Sequence, residues 1–487
     1  MSVSALPTEL VRDICSHLVL RDWCAFRVTC KAVYIKSLET FAERCCKSIG
    51  FILTRNSLCQ LEELAAHDIF RTRVQELWIT PSLFEGYYEM DLDSFRDATG
   101  SYQSKRSAHT TKAEYIAYQG LVAEHLSIVE SDTLSSNVLK KCVALFDNLT
   151  IIRLQHSTEE FFWSHSVNNN FRCIGWRAAR RQLGFDPLAL RGRRPIHNVL
   201  KTRAKDHAVA FSALLEAVVS CKRRIKKLDT CSDEHCALPP PDVALKHTSQ
   251  SLLSSLGQLE FLHLCTSIWE AQLDDSVFRS LVDLPVMVAP TLKVLTFSQW
   301  DLNGALAPQY FDDLSQRINF TSIREIHLYW TEITFDTLKA FLRTARPTLR
   351  ALSLESVNLR GALPPTDKDT GHERDLRDCQ EMINESNSAW QQVLNFLGDE
   401  YSLRSISLKN IGYRGYRLHM EDDLSKLSGS LEPNFRNLHT FNAEGASVSF
   451  KEWITQLRPG PPRGPRGRFD TLPGKDYSAR WSTPARP

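Results

Sequence analysis

Cys221, Cys231, His235 and Cys236 are the residues whose types could hold a metal ion. Thiolate and imidazole suit tetrahedral zinc, and structural zinc sites usually show paired ligands at Cys-x2-4-Cys spacing. That pairing is missing, and Leu238-Pro239-Pro240-Pro241 follows as a rigid loop. The group reads as a loop with incidental thiols, and neither a metal nor another cofactor is expected. Catalytic motifs are equally sparse. There is no His-Glu-x-x-His pair, no phosphate loop ending in Gly-Lys-Ser/Thr and no Gly-x-Ser-x-Gly elbow. The chain is therefore expected to carry no catalytic chemistry of its own.

Two basic runs could meet an anionic partner or act as nuclear localisation signals: Arg191-Gly192-Arg193-Arg194 and Lys222-Arg223-Arg224-Ile225-Lys226-Lys227. They sit in a chain with 59 Lys and Arg against 57 Asp and Glu, a net charge of +2. A dedicated nucleic-acid binder would show a clustered basic excess. The runs read as solvated surface, and no nucleic acid is expected as a partner. No stretch approaches the roughly eighteen apolar residues that span a bilayer, so no membrane partner is expected either. The thirteen irregularly spaced cysteines read as reduced and mostly buried, which points to cytoplasm and/or nucleus.

The elements that could position a partner begin at the N-terminus. Leu6-Pro7-Thr8-Glu9-Leu10 opens a helix with apolar residues at Leu10, Val11, Ile14 and Leu18. Leu20-Arg21-Asp22 breaks it, a second helix carries Trp23 and Phe26, and Arg27-Val28-Thr29-Cys30-Lys31 leads into a third. Pro7 presets the backbone at a helix start, where its missing N–H is harmless. Three short helices hold little volume for a core, so a protein partner is expected. The order and spacing of these residues over about 4–45 resemble an F-box. Trp23 stands where that family more often has Leu, and Thr29 where it often has Val. The resemblance implies docking on the Skp adaptor of cullin-based ubiquitin ligases, through Leu6, Pro7, Glu9, Leu10, Ile14, Leu18, Trp23 and Phe26.

Beyond a segment that reads as helical from Ser37 to Glu63, a local unit recurs: apolar-x-x-apolar-x-apolar. It begins at Val74, Leu149, Leu259, Leu292, Ile323, Leu349 and Leu403, and fades at Leu438. In a strand its last two apolar residues share a face. Starts at 259, 292, 323 and 349 lie 33, 31 and 26 residues apart, with helical segments between several copies. This resembles leucine-rich repeats, longer and less even than usual. It implies an α/β protein, with a three-helix F-box followed by an irregular leucine-rich-repeat-like solenoid of parallel strands and helices. Each unit would bury its apolar face only by stacking on neighbours.

In that arrangement one outward row comprises His263, Thr296, His327, Ser353 and Ser407, and the next Cys265, Ser298, Tyr329, Glu355 and Lys409. Of these, His263, Thr296, His327, Tyr329, Ser353, Glu355, Ser407 and Lys409 are the candidate substrate contacts. The expected domains are an F-box at 1–45, a helical linker at 46–73, a repeat domain at 74–458 and a disordered basic tail at 459–487. Residues 366–388 read as a charged surface insertion. The expected function is a substrate receptor that bridges a protein substrate, through the Skp adaptor, to cullin. The alternative is an F-box–adaptor complex with a scaffold or trafficking role.

Overall fold

In a computed structural model the chain is mixed α/β, with helices at the N-terminus and mostly parallel sheet beyond them. The structure describes residues 5–81, 91–100, 108–131, 138–154, 172–184, 196–230, 249–268, 275–301, 307–360, 376–413, 416–417, 419–421, 438–444, 446 and 448–460. Two compact units form, one from residues 1–236 with 246–256, the other from 237–245 with 257–487.

The first unit opens with α1 (Thr8–His17), α2 (Leu20–Arg27) and α3 (Lys31–Cys45). Then come β1 (Ser48–Ile52), α4 (Arg55–Ala66), α5 (Asp68–Arg71), β2 (Glu76–Thr80), α6 (Leu92–Gly100), α7 (Ala108–Glu130) and α8 (Lys140–Leu145). β3 (Ile151–Leu154), β4 (Arg172–Ile174), α9 (Trp176–Leu183), α10 (Ile196–Ser220), β5 (Lys227–Asp229) and α11 (Ser249–Leu256) complete it. Its strands run parallel in the order β4-β1-β2-β3-β5.

β1 corrects the expectation of helix from Ser37 to Glu63. Ile49, Phe51, Ile52 and Leu53 are all buried, so this strand is covered on both faces and shows no alternation. Gly50 faces Trp78 in register, and a Cβ there would lie 2.5 Å from the indole. Glycine is what lets β1 and β2 pair beneath that ring. Thr54 caps α4 by accepting from Ser57 N–H at 3.3 Å, which fixes where the helix restarts. On the sheet's flank, Ile52, Phe95, Tyr118, Leu121, Val122, Trp176 and Leu183 form one core.

The second unit contains β6 (Phe261–Ile268), α12 (Asp275–Val288), β7 (Val294–Asp301), α13 (Ala307–Arg317), β8 (Glu325–Tyr329), β9 (Glu332–Thr334) and α14 (Phe335–Ala345). β10 (Ala351–Glu355), β11 (Asn358–Arg360), α15 (Leu376–Glu400), β12 (Ser405–Lys409), β13 (Gly412–Tyr413), β14 (Tyr416–Arg417) and β15 (His419–Glu421) follow. β16 (Leu438–Asn442), α16 (Phe450–Gln456) and β17 (Arg458–Gly460) are last. β6, β7, β8, β10 and β12 pair in parallel, and β16 closes the row antiparallel to β12. Every copy of the apolar motif thus forms a strand, the last one reversed.

Alternation explains the layers. Leu295, Phe297, Ile326, Leu328, Leu352, Leu354, Ile406 and Leu408 are buried, and the residues between them are mostly half-buried. Phe297 stacks on Tyr310 at 5.1 Å, and Phe311 meets Phe341 edge-on at 5.8 Å, so α13 and α14 cover the apolar face. Past the strands the chain turns at Trp330, Ser356 and Asn410, with φ of 54°, 54° and 51°. Their left-handed backbone recurs at one register position, which starts the smaller sheet β9-β11-β13. Trp330 N–H donates to Glu355 O at 3.0 Å and Ser356 N–H to Lys409 O at 2.8 Å, so each turn rests on the next.

The charged insertion expected at 366–388 falls partly on α15. Residues 376–388 form the first half of that helix, and 361–375 lie outside the described residues. Residues 185–195 and the tail from 461 to 487 lie outside them too.

Candidate protein-interaction surfaces

The N-terminal helices build a small core from Val11, Cys15, Trp23, Val33, Phe41 and Cys45, with Leu6, Leu18, Phe26 and Phe70 packed against it. Phe70 comes from α5, its ring centroid 6.5 Å from that of Phe41. The chain's own following segment thus covers part of the apolar surface expected to need a partner. Polar groups tie the helices. Arg44 Nη1 donates to the carbonyls of Cys15, Ser16 and Leu18 at 3.3–3.4 Å, satisfying the end of α1. Lys36 Nζ donates to Leu6 O at 2.6 Å, and Arg12 pairs with Glu39. Arg27 lies 3.7 Å over the Phe41 ring. Burial holds the Cys15 thiol above its ordinary range, with Arg27 opposing.

The eight residues expected to meet the adaptor divide. Pro7, Glu9, Leu10 and Ile14 are exposed, Leu6, Leu18 and Phe26 are half-buried against the core, and Trp23 is fully buried. Trp23 is therefore a core residue as the chain stands, because α3 and Phe41 enclose its indole. Sequence reasoning missed Val19, Val28, Tyr34 and Ile35, which are 49%, 82%, 42% and 58% exposed. With Leu10 and Ile14 they make six of the eight large apolar residues exposed among the described ones. Their signal was an excess of apolar residues over what one helical face can bury.

In the second unit the two expected rows form as neighbouring ladders. His263, Thr296, His327, Ser353 and Ser407 pair in register, continued by Thr440. Cys265, Ser298, Tyr329, Glu355 and Lys409 form the next, continued by Leu438. Thr296 and Cys265 are buried, and the other members of the expected rows are half-buried. Ser298 Oγ lies 3.5 Å from His263 Nε2, His327 Nε2 lies 3.5 Å from Glu325, and Lys409 pairs with Glu355. Burial holds the pKa of His327 below its ordinary value, with Glu325 opposing and His263 reinforcing. Burial likewise raises Tyr329, helped by the Glu355 carboxylate.

The first unit carries an ionic cluster that sequence reasoning did not single out. Arg153 on β3 donates to Asp229 at 2.9 and 3.1 Å and to Glu76 at 2.9 Å. Burial lowers the Arg153 pKa, but the two carboxylates outweigh it and the group is held above its usual range. One basic run resolves into structure. Ile225 is buried, and Arg223 donates to the carbonyls of Val143 and Ala144 at 3.0 and 2.5 Å, capping α8. Cys231, His235 and Cys236 lie outside the described residues, and Cys221 Sγ donates to Lys140 O at 3.4 Å.

Residues 3–36 match the family profile of the F-box domain. No curated protein matches the chain. The match covers α1, α2 and the start of α3, the segment that holds Leu10, Ile14, Val19, Val28, Tyr34 and Ile35. Such a domain points to adaptor binding of the Skp–cullin–F-box ubiquitin ligase type.

Proposed function

We propose that this F-box protein is the substrate-recognition subunit of a Skp–cullin–F-box ubiquitin ligase, working in cytoplasm and/or nucleus. The observation that carries this is the coincidence of the F-box match with the exposed apolar residues of the N-terminal helices. Leu10, Ile14, Val19, Val28, Tyr34 and Ile35 dock the Skp adaptor, with Pro7 and Glu9 at the rim. Leu6, Leu18, Trp23 and Phe26 hold that surface in shape from beneath.

Residues from 74 to 458 serve as an irregular leucine-rich-repeat-like body that presents a protein substrate. The spacing of the motif copies and their in-register pairing support this reading. The polar rows around His327, Ser353, Glu355, Ser407 and Lys409 offer mixed chemistry on rigid strands, which suits protein recognition. Such a receptor accelerates ubiquitin transfer by raising the effective concentration of a substrate lysine near the conjugating enzyme. It needs no nucleophile or shifted acid for that.

Affinity purification of the wild-type chain beside a Pro7→Ala, Leu10→Asp variant tests the proposal. Wild type should recover adaptor and cullin, and the variant should lose both while keeping its other partners. Adaptor recovered without cullin would favour a scaffold or trafficking complex instead.

A further inference from the structure

Lys293, Arg324, Arg350 and Arg404 each stand immediately before a strand of the second unit, in one register position. Arg324 N–H donates to Lys293 O, Arg350 N–H to Arg324 O and Arg404 N–H to Arg350 O, each at 2.7 Å. Adjacent strands lie about 4.8 Å apart, so four positive side chains form a line about 15 Å long. Like charges on facing strand positions repel, so folding alone gives no reason for the row. It lies three and five residues before the polar rows that hold His327 and Tyr329, at the N-terminal ends of the strands. The sequence carries it openly: Leu292-Lys293, Ile323-Arg324, Leu349-Arg350 and Leu403-Arg404 each begin a motif copy.

Little neutralises the row. Lys293 pairs with Glu260 at 2.8 Å, and the nearby Glu400 is engaged by Arg343 and Arg346. Among the described residues no carboxylate pairs with Arg324, Arg350 or Arg404, and all three are exposed. Among the described residues the Arg350 guanidinium donates to its own neighbour, Leu349 O, at 3.0 Å. With Lys293, Thr321, Ser322 and Thr348 they line a groove of about 760 Å³. The Oγ1 of Thr348 is buried there and has no hydrogen-bond partner among the described residues. Glu325 is the carboxylate among the lining residues, and it reaches His327 at 3.5 Å.

We propose that this arginine ladder binds a multiply phosphorylated, extended segment of a partner protein. Guanidinium groups match phosphate oxygens in forked, two-point contacts. An extended peptide brings every second side chain to one side, about 7 Å apart, so two or three phosphates span the row. A phosphate carries nearly twice the charge of a carboxylate, which favours it over an acidic segment. The near-balanced net charge of +2 argues against a nucleic acid, which a broader basic field would serve. The site goes beyond the function proposed above and does not depend on adaptor binding.

Fluorescence anisotropy with the full chain tests it. The probe is a labelled Gly-Ser repeat peptide with phosphate on three alternate serines, beside its unphosphorylated twin and phosphatidylserine vesicles. The phosphorylated probe should bind at least about tenfold tighter than its twin, and more weakly as salt rises. Arg350→Gln should weaken it about threefold or more, and Arg350→Lys less, because lysine keeps the charge but loses the fork. Combining Arg324→Gln, Arg350→Gln and Arg404→Gln should abolish the preference. Leu10→Asp should leave it intact, which separates this site from the adaptor surface. Equal binding of both peptides, an unaffected triple variant, or binding to vesicles alone would overturn the proposal. A urea melt checks folding, and if the triple variant melts early the single variants give the answer.

Discussion

The indole of Trp23 stands edge-on to the ring of Phe41, with centroids 5.7 Å apart and planes at 86°. This contact joins α2 to α3 and gives the N-terminal helices a centre of their own. Trp23 is fully buried, so Trp23→Ala should destabilise the first unit by about 3–5 kcal/mol. A urea melt followed by circular dichroism would show it. Leu10→Asp, on an exposed position, should melt within about 0.5 kcal/mol of wild type.

Gly50 offers a second test of packing. A methyl group there would meet the Trp78 ring, which is itself buried, so neither can move away cheaply. Gly50→Ala should lower stability by about 1–3 kcal/mol, as overpacking does. An unchanged melting midpoint would show that β1 and β2 are not held this closely.

Lys409 and Glu355 pair across neighbouring strands on the open face. The Lys409 side chain is 42% exposed, so solvent screens the pair and a double-mutant cycle should give a coupling of about 0.2–1 kcal/mol. Reversing both charges keeps that coupling but changes the pattern shown to a substrate. Capture of substrate should weaken while adaptor binding is spared.

His327 should make stability depend on pH. Burial depresses its folded pKa below the ordinary value near 6.5, so the unfolded chain binds the proton more readily. Its contribution is full above about pH 6.5 and is lost as pH falls through the depressed folded value. Urea midpoints at pH 7.5 and 5.5 should therefore fall more for wild type than for His327→Gln. Equal falls would contradict the assignment.

Much of this was legible in the chain. Leu10 and Ile14 follow the helix period, and the motif copies gave both strand positions and the register of the polar rows. What hid was set by tertiary packing. β1 is buried on both faces from Ile49 to Ile52, so periodicity could not tell it from helix, and Gly50 makes sense only once Trp78 lies over it. Trp23 read as an interface anchor because a large aromatic suits either a core or a contact. Only Phe41 and α3 decide between them. The left-handed turns at Trp330 and Ser356 carry no glycine to betray them.

Adaptor binding is the most direct measurement. The purified full chain, titrated with the Skp adaptor by isothermal calorimetry, should bind tightly. Leu10→Asp and Val28→Asp should each weaken it by about tenfold or more at unchanged melting midpoint. A folded wild-type chain that ignores the adaptor, or variants that bind it as well as wild type, would contradict the role assigned to these helices.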